Sequence, residues 1–550
     1  MSQFHEFALF RLVLAAGALV ASPVRAKSLD DYIATAPFKM PVVSVPTFPA
    51  RNFLISDFGA VGDGQALNTA AFAKAIEACA QAGGGHVVVP AGLWLTGPIV
   101  LRSNVDLHAE RGALVQFTSD HHAYPMWQRE GRGFYATPCI SAVDQANVAV
   151  TGEGIFDGAG ETWRPVKKEK TTEAEWRRLL AKGGVTSNQG TIWWPTQEAM
   201  AGEDYLAKLA LKTANPTAEE TLAARDFRRS PLLALTGCTN VLVEGVTLRN
   251  SPMGLFEPAR CTNLTVRNAN FFNDWAAQNG DGMDIGPARN VVVYRCTVSA
   301  GDDAICMKAS GASPWPGEPG LQNVIVAECT VYRGHGGFVV GGSTEGGMRY
   351  LWATQCDFAG TDTGIRVKSG LGHGGLVHDV YVDHIYMKDI LNEAVLFDTF
   401  YDNTPVSAAT TKTSLSRDPA RTPEFRDFLL QDIYCTGAGS AIAITGLTQL
   451  PVHRITIERA NITALHGFRA TDAADVTLRQ VKIITPESPA VVQKNTNNIQ
   501  FVDLGTGRAV WHPRLRDLPG QDLPCKCQGI ASAFRGMPYT GIIHQTRSTL

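Results

Sequence analysis

The sequence predicts an all-β chain, a right-handed, single-stranded parallel β-helix with helical and loop insertions, and three observations carry that expectation. One phrase recurs: TNVLVEGVTLRN from Thr239, TNLTVRNANFFN from Thr262, RNVVVYRCTVSA from Arg289 and QNVIVAECTVYR from Gln322. Its asparagines, Asn240, Asn263, Asn290 and Asn323, stand 23, 27 and 33 residues apart. Each unit offers two or three short apolar runs broken by turn residues. That is too little for a core of its own, so units must stack to bury one. Fainter versions follow at HDVYVDHIYMKD, HRITIERANITA, DVTLRQVKIITP and NNIQFVDL. Finally, the long helices that a doubly wound sheet needs between strands are missing. A sandwich or propeller explains the successive Asn and Cys positions less economically.

Taken in order, residues 12–21 read LVLAAGALVA, a short apolar run after Arg11, and Val24-Arg25-Ala26 ends in a small-residue pattern. This predicts a signal peptide over residues 1–26 and an exported protein, with periplasm favoured over the external medium. A buried helix is the alternative reading. No later stretch is long and apolar enough to span a bilayer, so no membrane insertion is expected of the mature chain. An extended lead-in is expected over 27–50. An amphipathic helix follows over 68–82, capped near Asn68 or Thr69, with Phe72, Ile76 and Cys79 on one face. Gly83-Gly84-Gly85 ends it, and HVVVP begins the first strong strand.

The β-helical catalytic domain is expected over 51–510. An insertion interrupts it at about 160–229, helical at 170–180 and through much of 204–224. Insertions in solenoids project from one face, often the binding face. Residues 402–424, polar and rich in Pro and Thr, read as a second long loop, and 511–550 as a C-terminal extension or cap.

Near-balanced charge, a formal net of −3 over 550 residues, leaves no basic tract for nucleic acid or an anionic membrane. A few local cations can still make an anion pocket. Of the 11 cysteines, Cys238, Cys261, Cys296, Cys329 and Cys356 recur in or before apolar strands, as buried thiols do. Cys525 and Cys527 lack the second close pair that a zinc site needs. Free core cysteines are expected, with room for one or two disulfides and no structural metal.

The chemistry-bearing signal is acidic. Asn279-Gly280-Asp281-Gly282-Met283-Asp284 is followed, 21 residues after Asp281, by Gly301-Asp302-Asp303. That spacing is about one turn of the coil, so the three carboxylates should be neighbours. Crowding then raises the proton affinity of at least one, supplying an acid and a base. Alone, such acids equally cap strands or bind calcium. Arg333-Gly334-His335-Gly336-Gly337 on the next turn and Arg366-Val367-Lys368 on the one after add a histidine and two cations. Arg366 and Lys368 alternate on a strand and can grip one carboxylate from the same side.

Together these four motifs resemble glycoside hydrolase family 28, the polygalacturonase family, whose pattern runs Asn-Thr-Asp, Gly-Asp-Asp, Gly-His-Gly, Arg-Ile-Lys. Gly280 and Val367 depart from it while the functional side chains stay. DFGAVGDGQALNTAAFAKAI, from Asp57, is also similar to the family's entry into the helix. The resemblance runs from about residue 57 to 500 and implies a pectin lyase-like solenoid that hydrolyses α-1,4-linked galacturonic acid in pectic oligo- or polysaccharide with inversion. It implies Asp302 as general acid, Asp281 and Asp303 holding and deprotonating water, and Arg366 and Lys368 holding the uronate carboxylate. His335 would tune the acid, orient sugar hydroxyls or only brace its turn. An inverting pair separated by about 6.5–9.5 Å is expected. No cofactor and no metal are called for. Lys308 would bind substrate or face solvent. Gln278 would bind substrate or support Asp281, as Asp284 would unless it closes a turn. Trp193 and Trp194 either stack on sugars or sit in a core.

TWRPVKKEK, QNGDGMD and GHGGFVVGG look like the bacterial exo-acting members, implying release of galacturonic acid from the non-reducing end. The alternatives are an endo-polygalacturonase or rhamnogalacturonan hydrolase, a calcium-dependent pectate lyase, and a non-catalytic glycan-binding β-helix.

Overall fold

Asparagine explains why the coil closes. In the computed structural model, which describes residues 27–129, 131–401 and 421–507, Asn104, Asn147, Asn240, Asn263, Asn290 and Asn323 all take left-handed φ between 53° and 63°. Asn tolerates that conformation better than other residues with a Cβ. Each side-chain amide donates to its predecessor's Oδ1: Asn147 to Asn104 at 2.9 Å, Asn240 to Asn147 at 3.0 Å, Asn263 to Asn240 at 2.9 Å, Asn290 to Asn263 at 3.0 Å and Asn323 to Asn290 at 3.0 Å. The same left-handed corner continues at Tyr350, Asp379, Asp427 and Arg454. There an ion pair, Arg454 Nε to Asp427 Oδ1 at 2.6 Å, replaces the amide ladder. The loss of Asn explains why the C-terminal repeats are fainter to read.

Between corners the strands pair in parallel, turn on turn, as a right-handed parallel β-helix. One face stacks Val105–Ala109, Ala146–Gly152, Thr239–Glu244, Cys261–Arg267, Ala288–Tyr294 and Leu321–Ala327. The face that carries the site stacks Ile140–Val143, Leu233–Thr236, Phe256–Ala259, Met283–Ile285, Ile305–Met307, Gly336–Gly342 and Thr363–Ser369. Inward side chains make one column running from Ile55 to Ile483. Each fully buried Val, Leu, Ile or Phe contributes about 1.5–3 kcal/mol. Nine cysteines, Cys238, Cys261, Cys296, Cys329 and Cys356 among them, are buried free thiols among the described residues.

Thr69–Gln81 is the expected helix, with Phe72, Ile76 and Cys79 buried against the first turns. Asn68 occupies its N-cap position, but its side chain serves the preceding loop, accepting from Val61 N and donating to Leu95 O. The lead-in is not wholly extended: Leu29–Thr35 is a helix closed by a Ser28–Asp31 capping box. Tyr32 and Val43 then pack on the solenoid's flank against Val292, Ile325 and Trp352.

Within the insertion, helix Glu173–Ala181 starts at the Thr172 cap, and much of 204–224 is helical as expected, in the end of helix Gln197–Ala210, which begins earlier, and in the short helical turns Ala218–Thr221 and Leu222–Ala224. An unexpected antiparallel sheet, Val166–Lys167, Ile192–Trp194 and Val185–Ser187, braces them. Trp193 and Trp194 are buried within this small core, which excludes the sugar-stacking alternative for them. A second unexpected element is the antiparallel hairpin of Met126–Arg129 and Gly133–Ala136 beside the cleft. No helix among the described residues is long and apolar enough to cross a membrane. Residues 1–26, where a signal peptide is expected, residues 402–420 of the second loop, Cys525, Cys527 and the segment 511–550 lie outside the described residues.

Candidate active site

Stacking brings the acidic motifs together as their spacing predicts. Gly282 N donates to Asp303 O at 2.9 Å and His335 N to Asp302 O at 2.8 Å, so successive turns are tied through the backbone of the motifs themselves. Gly280, the departure from the family pattern, has a steric cause. A Cβ there would stand 2.6 Å from Ala277 Cβ and 2.8 Å from Ala277 O. The loop is held from below by Arg229, a buried guanidinium that donates to Gln278 O at 3.2 Å and Asn279 Oδ1 at 3.0 Å.

Asp281, Asp302 and Asp303 each present a carboxylate oxygen within 4.8 Å of the others. The wide gap expected for an inverting pair is therefore not found at the nearest oxygens, because the carboxylates sit on adjacent rungs of one sheet. A water about 2.8 Å from each still fits between oxygens so spaced.

Each carboxylate has a different set of cations. Asp303, 2 % exposed, accepts from Lys368 Nζ at 2.8 Å and Arg366 Nη1 at 3.1 Å. Burial pushes its pKa up, but the charges of Lys368 and Arg366 prevail and hold it below the ordinary carboxylate value. Asp302 lies 3.1 Å from His335 Nδ1. Burial again opposes ionisation, and the hydrogen bond with His335 together with the charges of Lys368 and Lys170 outweighs it, leaving Asp302 well below the usual range. Asp281 goes the other way. Burial and the neighbouring Asp284 carboxylate raise its pKa well above the usual value, against the pull of Lys308. Lys308 Nζ stands 2.7 Å from Asp284 Oδ1 and 3.3 Å from Asp281 Oδ2. The raised proton affinity that crowding predicts thus falls on Asp281, whereas the resemblance implied Asp302 as the acid. Because the carboxylates interact strongly, the shared proton belongs to the group.

The electrostatics give a signed prediction. Asp284→Asn removes the like charge that raises Asp281 and leaves Lys308 to Asp281 alone. Both changes lower the proton affinity of the group, so the alkaline limb of a kcat/KM–pH profile is expected to move to lower pH. An unmoved limb would show that Asp281 does not hold the essential proton.

Of the expected site residues, Asp281, Asp302, Asp303, Lys308 and Lys368 line one cavity of 1010 Å³. His335 and Arg366 contact its carboxylates. Val367 turns into the core between Arg366 and Lys368. Lys308 serves the carboxylates directly rather than standing free for a ligand. Gln278 does not reach the cavity. Its side chain is buried, with Oε1 unpartnered, and its carbonyl is what the loop uses.

Several residues were not expected. Tyr401 lines the cavity with its ring 4.3 Å from Lys368 Nζ and 5.6 Å from the Arg366 guanidinium. Trp127, Arg129, Arg132 and Tyr135 of the hairpin make a basic, aromatic wall. Arg129 pairs with Glu257 on the sheet, and Arg132 Nη2 donates to Ser310 Oγ across the cleft at 3.2 Å. Lys170, from the insertion, stands behind His335. Hairpin residues carry no motif, but the basic run ending at Lys170 was visible as part of TWRPVKKEK.

A carboxylate cluster with a histidine and two strand-borne cations, set in a cleft on a parallel β-helix, defines a glycosidase. The family model of glycosyl hydrolases family 28 matches residues 222–467 of the chain. The chain is 27% identical over 490 residues to the exo-poly-alpha-D-galacturonosidase of Dickeya chrysanthemi, covering 86% of this chain and 74% of that protein. It is 21% identical to an endo-polygalacturonase of Pectobacterium parmentieri, over 78% of this chain and 87% of that one. Among solved structures, the hyperthermoactive exopolygalacturonase of Thermotoga maritima superposes with a TM-score of 0.64 at 25% identity, covering 80% of this chain and 93% of that one.

Proposed function

We propose that the enzyme hydrolyses α-1,4-linked galacturonic acid in pectic oligosaccharides with inversion, releasing sugar from the non-reducing end. The observation that carries the exo reading is the bridged cleft. The hairpin of Met126–Arg129 and Gly133–Ala136 is pinned to the sheet by Arg129–Glu257 and reaches the opposite loop through Arg132–Ser310. A polymer crossing an open groove would have to part that contact, whereas a chain end enters as far as the wall. The exo-acting relatives in Dickeya and Thermotoga support the same choice.

For a uronate, the recognition element is Arg366 with Lys368. Arg366 Nε is buried and has no partner among the described residues, so a donor is held ready beside the acids. A buried, unmet N–H costs about 1–3 kcal/mol, which a bound carboxylate would recover. Asp302 serves as the acid on the leaving oxygen, while Asp281 and Asp303 hold the water. When the substrate carboxylate draws Arg366 and Lys368 from Asp303, the charges that keep Asp302 and Asp303 ionised are partly neutralised, and the group's proton can pass to Asp302. A calcium-dependent lyase fits less well. Calcium takes six to eight oxygens, and these carboxylates already face Lys308, Arg366, Lys368 and His335.

Digestion of a defined galacturonic acid oligomer, with and without chelator, tests the reading. Steady release of saturated monomer, indifferent to chelation, is expected. Mid-chain fragments would assign an endo enzyme, and an unsaturated, calcium-dependent product a lyase.

A further inference from the structure

We propose that Lys170, carried by the insertion rather than by the coil, is a positioning residue that sets the tautomer of His335 and so the hydrogen bond made to Asp302. The inference rests on the hydrolase reading for its catalytic consequence but not for its structural one.

Lys170 closes the turn Lys168–Lys170, which is braced on both sides. Lys168 N donates to Thr191 O at 2.9 Å, and the capped helix Glu173–Ala181 begins three residues on. The ammonium is directed into the solenoid, and its three protons have three acceptors. Nζ donates to Gly301 O at 2.6 Å, stands 3.0 Å from His335 Nε2, and lies 4.5 Å from the centre of the Trp275 ring. Trp275 in turn meets the imidazole edge-to-face at 5.7 Å. Neither Lys170 nor Trp275 lines the cavity. Lys170 therefore has no donor to spare for a sugar and acts through the histidine.

The tautomer follows from the donor inventory. An ammonium has protons to give and no lone pair to accept with. His335 Nε2 must therefore be the accepting nitrogen, which places the ring proton on Nδ1, 3.1 Å from Asp302 Oδ1. His335 is then a neutral donor to Asp302, aimed and held by a residue one layer behind it. Without Lys170 the proton is free to sit on Nε2, where Asp362 Oδ2 lies 3.8 Å away. Nδ1 would then face Asp302 as a lone pair, and the acid would lose its oriented donor. A wrongly placed imidazole proton is costly in enzymes that depend on it.

The test is ¹⁵N NMR of the full-length protein labelled at histidine, with His335 assigned by its loss in His335→Gln. The wild type is expected to show protonated Nδ1 and bare Nε2, with that pattern lost or mixed in Lys170→Met, which keeps the aliphatic stem. On galacturonic acid oligomers, Lys170→Met is expected to lower kcat about 10- to 100-fold with KM within about twofold, as loss of a supporting partner does. Lys170→Arg, which restores a cationic donor, should recover part of it. A wild-type spectrum with the proton on Nε2 overturns the proposal without any variant. So does a Lys170→Met protein with wild-type tautomer and kcat. Should the wild type turn over no uronide at all, the hydrolase reading fails while the spectra still decide the role of Lys170.

Discussion

Asp302→Asn is expected to lower kcat by about 10²- to 10⁴-fold, the range that a positioned general acid contributes, with KM little changed. The substitution removes a proton carrier and the negative charge that Lys368 and Lys170 face, and leaves the packing in place. Asn keeps the side chain's shape and an oxygen acceptor for His335, and the backbone ties of this turn, Asp302 O to His335 N and Asp303 O to Gly282 N, do not involve the side chain. The fold is therefore kept, with a melting deficit near neutrality that narrows towards acid, since Asn forfeits the stabilisation of the ionised Asp302. If instead Asp281→Asn were far more damaging than Asp302→Asn, the resting location of the proton would also be its working location, and the two residues would exchange roles.

Lys368→Ala should do two kinds of damage. The Lys368 and Asp303 side chains are 4% and 3% exposed, and taking one partner from a buried pair costs about 3–5 kcal/mol because the other charge is stranded. Arg366 remains at 3.1 Å, so the lower end is expected. The pH dependence has a definite sign. In the wild type, cations hold Asp303 below its unfolded value of about 3.9. That stabilisation is full above the unfolded pKa and lost as pH falls through the folded one. The variant forfeits it, so its melting deficit should be widest near neutrality and narrow towards acid. Independently, loss of a charged contact to the uronate should reduce kcat/KM by about 10- to 100-fold. A neutral galactose analogue should not share that loss. Comparing the two substrates separates recognition from stability.

What could be read from the sequence, and what could not, divides along the source of each contact. Asn240, Asn263, Asn290 and Asn323 were legible because a corner that needs left-handed backbone selects the same residue at every turn. Asp281, Asp302, Asp303, His335, Arg366 and Lys368 were legible because stacking turns spacing in sequence into adjacency in space. That the three carboxylates are neighbours was legible from the same spacing; the wider acid–base gap implied by the resemblance was not met, since neighbouring rungs approach more nearly than an acid and base on opposite sides of a sugar. Gln278 was misplaced because one residue of difference at a turn decides whether a side chain faces the cleft or the interior. Lys170, Arg229 and the Arg132–Ser310 bridge were beyond reach for a third reason. They arise from insertions whose path back to the coil obeys no repeat, so no periodicity could place them. The antiparallel sheet that buries Trp193 and Trp194 belongs to the same class.

Hydrolysis of a uronide by water held among Asp281, Asp302 and Asp303 can be followed by proton NMR during the first minutes of the oligomer digestion. Saturated galacturonic acid appearing first as the β-anomer and only later equilibrating with the α-form is the predicted result. Initial α-anomer would require a covalent intermediate on one of these carboxylates, and a new vinylic proton signal would mean elimination; either result would contradict direct attack by water.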